Sequence, residues 1–128
     1  MIGPFLPWVY KSDAFLRVRR DGAKPHITSY RWVPREATRE LGKLGERARD
    51  PEVLAAFTCP VLLIHAEGDQ AASPNAAHNA FEAIGSENKE FLWLHETDHH
   101  VFWDYDRDEV VDAVVKFTAE IRDEEYVD

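Results

Sequence analysis

Three side chains in the middle of the sequence have types and positions suited to moving a proton. Asp69 follows Gly68 at the end of one apolar run, and the pair His99-His100 follows a second apolar run. An Asp that hydrogen-bonds a His fixes its tautomer and stabilises the imidazolium that forms when the His takes a proton. If the two apolar runs are parallel neighbouring strands, their loops open at the same sheet edge, so the acid and a histidine can meet.

The segments around these residues alternate between strand and helix. Residues 61–65 are a largely apolar run, typical of a strand buried on both faces of a parallel sheet, and residues 91–94 are predicted to be the next strand. A helix is predicted between them, because Ser73-Pro74 suits a helix start. A second helix is predicted over residues 106–122, where apolar side chains share one face. The order strand, helix, strand, helix predicts an α/β fold with a parallel sheet.

Two sequence motifs resemble the C-terminal part of the α/β-hydrolase family, in its carboxylesterase and monoacylglycerol-lipase-like branch of serine aminopeptidase S33 type. That family carries its triad acid in Pro-Val-Leu-Leu-Ile-His-Gly-x-x-Asp and its triad base in a later Gly-His-x-x-x-x-Asp. The similar segments here are CPVLLIHAEGD, residues 59–69, and DHHVFWD, residues 98–104. Ala66 and Asp98 stand where the family usually has Gly. The resemblance implies a carboxylic ester hydrolase of esterase or lipase type.

The resemblance also implies a role for each side chain of the two motifs. Asp69 would be the triad acid, and His99 would be the base, because His99 precedes Asp104 by the five residues that the family shows. His100 is the second choice, and Asp104 would shape the loop. His99 would take a proton from a serine and later protonate the leaving alcohol. No metal and no organic cofactor is implied, and no substrate-binding residue is assigned.

A serine nucleophile for this triad has no candidate in the sequence. The family places that serine in a Gly-x-Ser-x-Gly turn, ahead of the acid and the base in the chain. None of the four serines Ser12, Ser29, Ser73 and Ser86 has these flanking glycines. We therefore predict the C-terminal part of a hydrolase, whose Asp and His complete a triad with a serine from elsewhere. The alternative is a catalytically lapsed interaction module, so the sequence leaves open whether the chain is an enzyme.

The residues that precede the predicted strand at residues 61–65 form the other segment of the chain. The resemblance to the hydrolases implies that residues 1–57 are a lid- or cap-like segment and that residues 58–128 carry the acid and the base. The residues themselves predict a helix over residues 34–49. Aromatic side chains in the lid-like segment suit either an acyl-binding wall or ordinary core; they are Trp8, Phe15, Tyr30 and Trp32.

A rival metal-binding pattern overlaps the histidine pair. The residues from His95 to His99 read His-Glu-x-x-His, the zinc-protease motif. This motif binds zinc on a helix, where both histidines share one face and the Glu activates a zinc-bound water. The strand-like residues 91–94 run directly into it, so a zinc hydrolase is the less favoured alternative.

Composition narrows the class of partner. The 24 acidic residues outnumber the 15 basic ones and give a net charge of −9, which disfavours a nucleic-acid partner. The single cysteine, Cys59, excludes an internal disulfide and fits a reducing cytoplasm. No apolar run is long enough to predict a transmembrane helix. The expected partners are a small ester substrate and, because a two-stranded core exposes apolar faces, an upstream hydrolase chain or a second copy.

Overall fold

The computed structural model describes residues 7–125, so the ends of both predicted segments, residues 1–6 and 126–128, lie outside the described range. The N-terminal part contains strands β1 (Trp8–Tyr10) and β2 (Trp32–Pro34), then helices α1 (Arg35–Ala48) and α2 (Pro51–Ala55). The C-terminal part contains strand β3 (Val61–Ala66), helix α3 (Pro74–Ala83), strand β4 (Lys89–Leu94) and helix α4 (Arg107–Glu125). Short 3-10 turns occupy Asp13–Leu16, Lys24–His26 and Val101–Trp103.

The sheet that positions the predicted site is formed by β3 and β4. The two strands are parallel neighbours, in register from Val61 opposite Lys89 to Ala66 opposite Leu94. Helix α3 connects them, and α4 follows, so the predicted order of strand, helix, strand, helix is confirmed. Because the strands are parallel, the loops that follow both of them leave the same edge of the sheet.

The N-terminal part contains a small antiparallel pair of strands. Strand β1 pairs with β2, and α1 begins directly after β2. The helix predicted over residues 34–49 is therefore present, with Pro34 as the residue before its first turn. Its apolar side chains Leu41 and Leu44 are exposed, and α1 buries no residue. No helix in the described part of the chain combines the length and the apolar character that crossing a membrane requires.

The core lies where α4 crosses the ends of the sheet. Its fully buried members are Ala66, Leu94 and Val110, with Ile64, Leu92 and Val101 packed against them. The expectation that residues 61–65 are buried on both faces is wrong, because all five are only half-buried. Among the described residues β3 has a strand neighbour on one side only. The sheet edge and faces beside β3 therefore stay partly exposed.

Gly85 allows a close approach between the end of α3 and the end of α2. Its N–H donates to the carbonyl of Leu54 at 3.1 Å, and a Cβ added to it would lie 2.0 Å from the carbonyl oxygen of Ala55. The obstacle is backbone, which cannot move aside as a flexible side chain does. We expect Gly85→Ala to lower the free energy of unfolding by about 2 kcal/mol through this overlap.

Gly42→Ala is the matched control for that prediction, and urea denaturation measures both variants. Gly42 lies inside α1, where an added Cβ would meet no atom within 4 Å. This substitution should raise stability by about 0.5–1 kcal/mol, because Gly is a poorer helix former than Ala. Equal stabilities for Gly85→Ala and the unmodified chain would show that α2 and α3 do not approach as described.

Candidate acid–base site

The loops after β3 and β4 bring an acid and a histidine together at the carboxyl edge of the sheet. Asp69 follows β3 and His99 follows β4, and Nδ1 of His99 lies 3.0 Å from Oδ2 of Asp69. When the neutral ring carries its proton on Nδ1, this nitrogen donates to the carboxylate and leaves Nε2 as an acceptor. The arrangement can orient an imidazole and prepare its Nε2 to receive a proton.

Asp69 is held in place by its own loop as well as by His99. Its Oδ1 accepts hydrogen bonds from the N–H groups of Ala71 at 2.7 Å and Ala72 at 3.0 Å, and its side chain is only 7% exposed. Burial alone would raise the pKa of Asp69, but the hydrogen bonds from His99, Ala72 and Ala71 outweigh it and leave that pKa below its ordinary value. The carboxylate therefore stays ionised at neutral pH and remains an acceptor.

The lowered pKa of Asp69 predicts a loss of stability in acid. A carboxyl group whose pKa is lower in the folded chain contributes stability above its unfolded-state pKa of about 3.9, and this contribution disappears as the pH falls through the lowered pKa. The difference in unfolding free energy between the unmodified chain and Asp69→Asn should be largest near pH 7 and shrink below about pH 4. Urea denaturation across that range measures it, and a pH-independent difference would contradict the pKa shift.

His100, the second choice for the base, faces a different partner. Its Nε2 lies 2.8 Å from the carbonyl oxygen of Phe15, so this nitrogen is occupied by the backbone when it carries the proton. The His100 ring also stands edge-on to the His99 ring, with 5.2 Å between the ring centres. Of the two adjacent histidines, His99 is the one hydrogen-bonded to Asp69.

The residues of the zinc-like motif do not share a helix. Residues 95–99 run through the loop after β4, so His95 and His99 are not on one helical face. His95 pairs with Glu67 at 3.0 Å instead, and this hydrogen bond and negative charge raise the pKa of His95 above its ordinary value. The two histidines thus have separate carboxylate partners, which is not the helical arrangement that the motif requires.

Asp104 shapes the histidine loop, as predicted. It is fully buried, and its carboxylate accepts hydrogen bonds from the N–H groups of Asp98 at 2.9 Å and Tyr105 at 3.1 Å. It also accepts hydrogen bonds from the backbone N–H groups of Arg19 at 2.8 Å and Arg20 at 2.7 Å, which lie 85 and 84 residues earlier in the chain. These two contacts were not predicted from the sequence, where the basic residues at positions 17, 19 and 20 are the only local sign of them.

An apolar cleft lies in the N-terminal part, with Phe15 in its wall. Its volume is about 440 Å³, and elements β1, β2 and α1 contribute to its walls. Phe15 and Tyr30 line it, whereas Trp8 and Trp32 do not. The ring of Phe15 also meets the ring of His99 edge-on, with 5.9 Å between their centres. Phe15 therefore stands between the cleft and the histidine.

Three of the four serine hydroxyls have hydrogen-bond partners other than His99. Ser29 accepts from Lys11, Ser73 accepts from the N–H at the start of α3, and Ser86 donates to a carbonyl. Within residues 7–125, no serine hydroxyl is hydrogen-bonded to His99.

Comparison with known families identifies the fold to which this geometry belongs. Residues 18–106, well over half of the chain, match the family described as serine aminopeptidase, S33. The chain belongs to this family of α/β-hydrolases. No curated protein matches the sequence. The fold is thus a part of the α/β-hydrolase fold, as the resemblance of the two motifs implied.

Two solved structures share this fold with the chain. One comes from a study of LipS and LipT, two metagenome-derived lipolytic enzymes, with a TM-score of 0.79, 24% identity, and coverage of 94% of this chain and 46% of that one. The other is the monoacylglycerol lipase of Paleococcus ferrophilus, with a TM-score of 0.76, 20% identity, and coverage of 91% of this chain and 46% of the lipase. The chain spans less than half the length of each.

Proposed function

We propose that Asp69 and His99 are the acid and the base of a serine hydrolase triad that acts on carboxylic esters. The single observation that carries the proposal is the 3.0 Å contact between Nδ1 of His99 and Oδ2 of Asp69. A pair of this kind on neighbouring strand ends is what acyl transfer by a serine needs. Membership of an α/β-hydrolase family supports this role for the pair.

Each group then has a defined task in the reaction. Asp69, ionised at neutral pH, holds the Nδ1 proton of His99 and leaves Nε2 to accept the proton of the serine hydroxyl. The serine oxygen attacks the ester carbonyl, and His99 returns the proton to the departing alcohol. Water then attacks the acyl-serine in the same way, with His99 again taking and giving the proton.

The apolar cleft of the N-terminal part supports an ester with an acyl chain as substrate. Its lining is mostly apolar, and it includes Phe15, whose ring contacts the His99 ring. Apolar pockets with few polar groups are the usual sites for such chains. In this proposal residues 1–57 act as the lid-like segment, and residues 58–128 carry the acid and the base.

The serine of the proposed triad comes from an upstream hydrolase chain, whereas a second copy, which carries the same four serines, is proposed only as a partner that covers apolar surface. Exposed apolar side chains on α2, on the segment after it and on α4 support a partner that covers them; they are Val53, Phe57, Val111, Val114 and Val115. The free, exposed thiol of Cys59 supports a reducing compartment, and we propose the cytoplasm.

The alternative function is a catalytically lapsed interaction module. It is favoured by the lack of a serine hydroxyl bonded to His99 in residues 7–125.

Labelling with a fluorophosphonate tests the proposal. The purified chain is incubated with the probe and its intact mass is read, with turnover of short-chain p-nitrophenyl esters measured in parallel. The same measurements are then made on a longer polypeptide, in which this chain is joined to the residues encoded immediately upstream. We expect one adduct, and turnover that His99→Ala abolishes, when the serine-bearing partner is present. A folded sample that neither reacts nor turns over ester in either form would favour the lapsed interaction module.

A further inference from the structure

Residues 15–20, which we call the strap, cross both loops of the candidate site. The carbonyl oxygen of Phe15 lies 2.8 Å from Nε2 of His100, and the Phe15 ring meets the His99 ring. At the other end of the strap, the N–H groups of Arg19 and Arg20 donate to the buried carboxylate of Asp104. The strap is therefore fastened at both ends to the loop that carries the histidines.

Arg17, in the middle of the strap, joins that loop to the loop of the acid. Its Nε lies 3.2 Å from Oδ2 of Asp98, the residue before His99. Its Nη1 donates to Oε1 of Gln70, the residue after Asp69. One guanidinium group thus contacts the chain neighbour of each member of the acid–base pair. A planar group with several N–H donors suits this bridging task, which a lysine cannot perform in the same way.

The contact with Arg17 matters because the carboxylate of Asp98 is buried. The Asp98 side chain is only 3% exposed, and a buried carboxylate needs both a countercharge and hydrogen bonds. Its Oδ1 accepts the N–H of His99 at 3.1 Å, while its own N–H donates to Asp104 at 2.9 Å. Asp98 stands where similar hydrolase motifs usually have Gly. In this chain Arg17 supplies the countercharge for this carboxylate, inside the loop that carries the histidines.

Arg19 adds a second contact between the strap and both loops. Its Nη1 donates to the carbonyl oxygen of His95 at 2.8 Å, at the start of the histidine loop. A Cβ added to Gly68 would lie 2.0 Å from Nη2 of Arg19, so the guanidinium packs against the backbone of the acid loop. The strap therefore contacts the two loops through two arginines, independently of the Asp69–His99 hydrogen bond.

We propose that Arg17 is a positioning residue, which keeps Asp69 and His99 within hydrogen-bond distance by tying Asp98 to Gln70. The inference rests on the proposed function, because it concerns the same acid–base pair. Arg17 acts through these neighbours and does not itself touch the reacting atoms. Loss of its guanidinium leaves the Asp98 carboxylate buried without a countercharge, which displaces the turn that carries His99.

Nuclear magnetic resonance on the 128-residue chain tests this role with two readouts. The first is the ring Nδ1–H resonance of His99, which is protected from water when that proton is shared with Asp69. The second is hydrogen exchange of the backbone N–H groups of Asp98 and His99. In Arg17→Gln we expect the ring resonance to broaden and exchange at Asp98 and His99 to accelerate roughly tenfold.

Two further variants control the experiment. Arg39→Gln is the matched control, because Arg39 forms an exposed ion pair with Glu36 on α1, far along the chain from both loops; it should leave both readouts unchanged. Asp98→Asn in the Arg17→Gln background should bring exchange back toward that of the unmodified chain, because the neutral amide no longer needs a countercharge. Such recovery is not expected if Arg17 only adds general stability.

Several outcomes separate this inference from the proposed function. An unchanged ring resonance in folded Arg17→Gln overturns the positioning role, and so does acceleration that is equally large at the amides of α4. If the ring resonance is missing from the unmodified chain, the proposed Asp69–His99 hydrogen bond is contradicted, while hydrogen exchange at the backbone amides still tests Arg17.

If Arg17→Gln does not fold, Arg17→Lys replaces it. This variant keeps a positive charge for Asp98 but loses the bridge to Gln70, so a fully retained His99 ring resonance overturns the proposal.

Discussion

Asp104→Ala should lower the free energy of unfolding by about 4 kcal/mol, the largest stability effect that we expect in this chain. The substitution removes the acceptor for the N–H groups of Asp98, Arg19, Arg20 and Tyr105. Each buried donor left without a partner costs about 1–3 kcal/mol, and the part-exposed ones recover some of this from water. A domain of this size is stable by only about 5–15 kcal/mol, so most of that margin would be lost.

Urea denaturation of Asp104→Ala measures this loss, with Asp112→Asn as the control. Asp112 is an exposed carboxylate on α4, so its replacement should change stability by no more than about 0.5 kcal/mol. Asp104→Asn should fall between the two, because the amide keeps one acceptor oxygen but turns an N–H₂ group toward N–H donors. A stability for Asp104→Ala within about 0.5 kcal/mol of the unmodified chain would show that this carboxylate does not fasten residues 19 and 20 to the histidine loop.

His99→Ala should lower kcat for ester hydrolysis by at least about four orders of magnitude in the assembly that contains the serine. Under the proposed function, this substitution removes the group that takes the serine proton and returns it to the alcohol. Asp69→Asn should also cost about four orders of magnitude, because the amide no longer stabilises the imidazolium and favours the wrong tautomer. Both losses should appear in kcat more than in KM, since neither side chain is assigned to binding the substrate.

His100→Ala is the matched control for His99→Ala, because it removes the same ring from the adjacent position. Nε2 of His100 contacts the carbonyl oxygen of Phe15 and not a carboxylate, so we expect its loss to lower kcat by less than about tenfold. Steady-state turnover of p-nitrophenyl esters measures both variants. Similar losses for the two histidines, or a larger loss for His100→Ala, would contradict the assignment of His99 as the base.

Local chemistry in the sequence determined the order of the elements around the site. Short apolar runs gave the strands β3 and β4, and the helix start at Ser73-Pro74 fixed the beginning of α3, where the Ser73 hydroxyl accepts an N–H. The two strand ends then placed Asp69 and His99 in consecutive loops of a parallel sheet. These features are predictable because capping, chain stiffness and apolar patterning act over a few residues.

Only the tertiary structure decided how the site is held and how much of the sheet is covered. Residues 61–65 read as a strand buried on both faces, yet they are half-buried, because burial depends on which elements pack against a strand and not on its own composition. The contacts of Arg19 and Arg20 with Asp104 span 85 and 84 residues, and Arg17 neutralises Asp98 across a similar separation. No spacing rule predicts such pairs, since they form only after the path of the chain brings distant segments side by side.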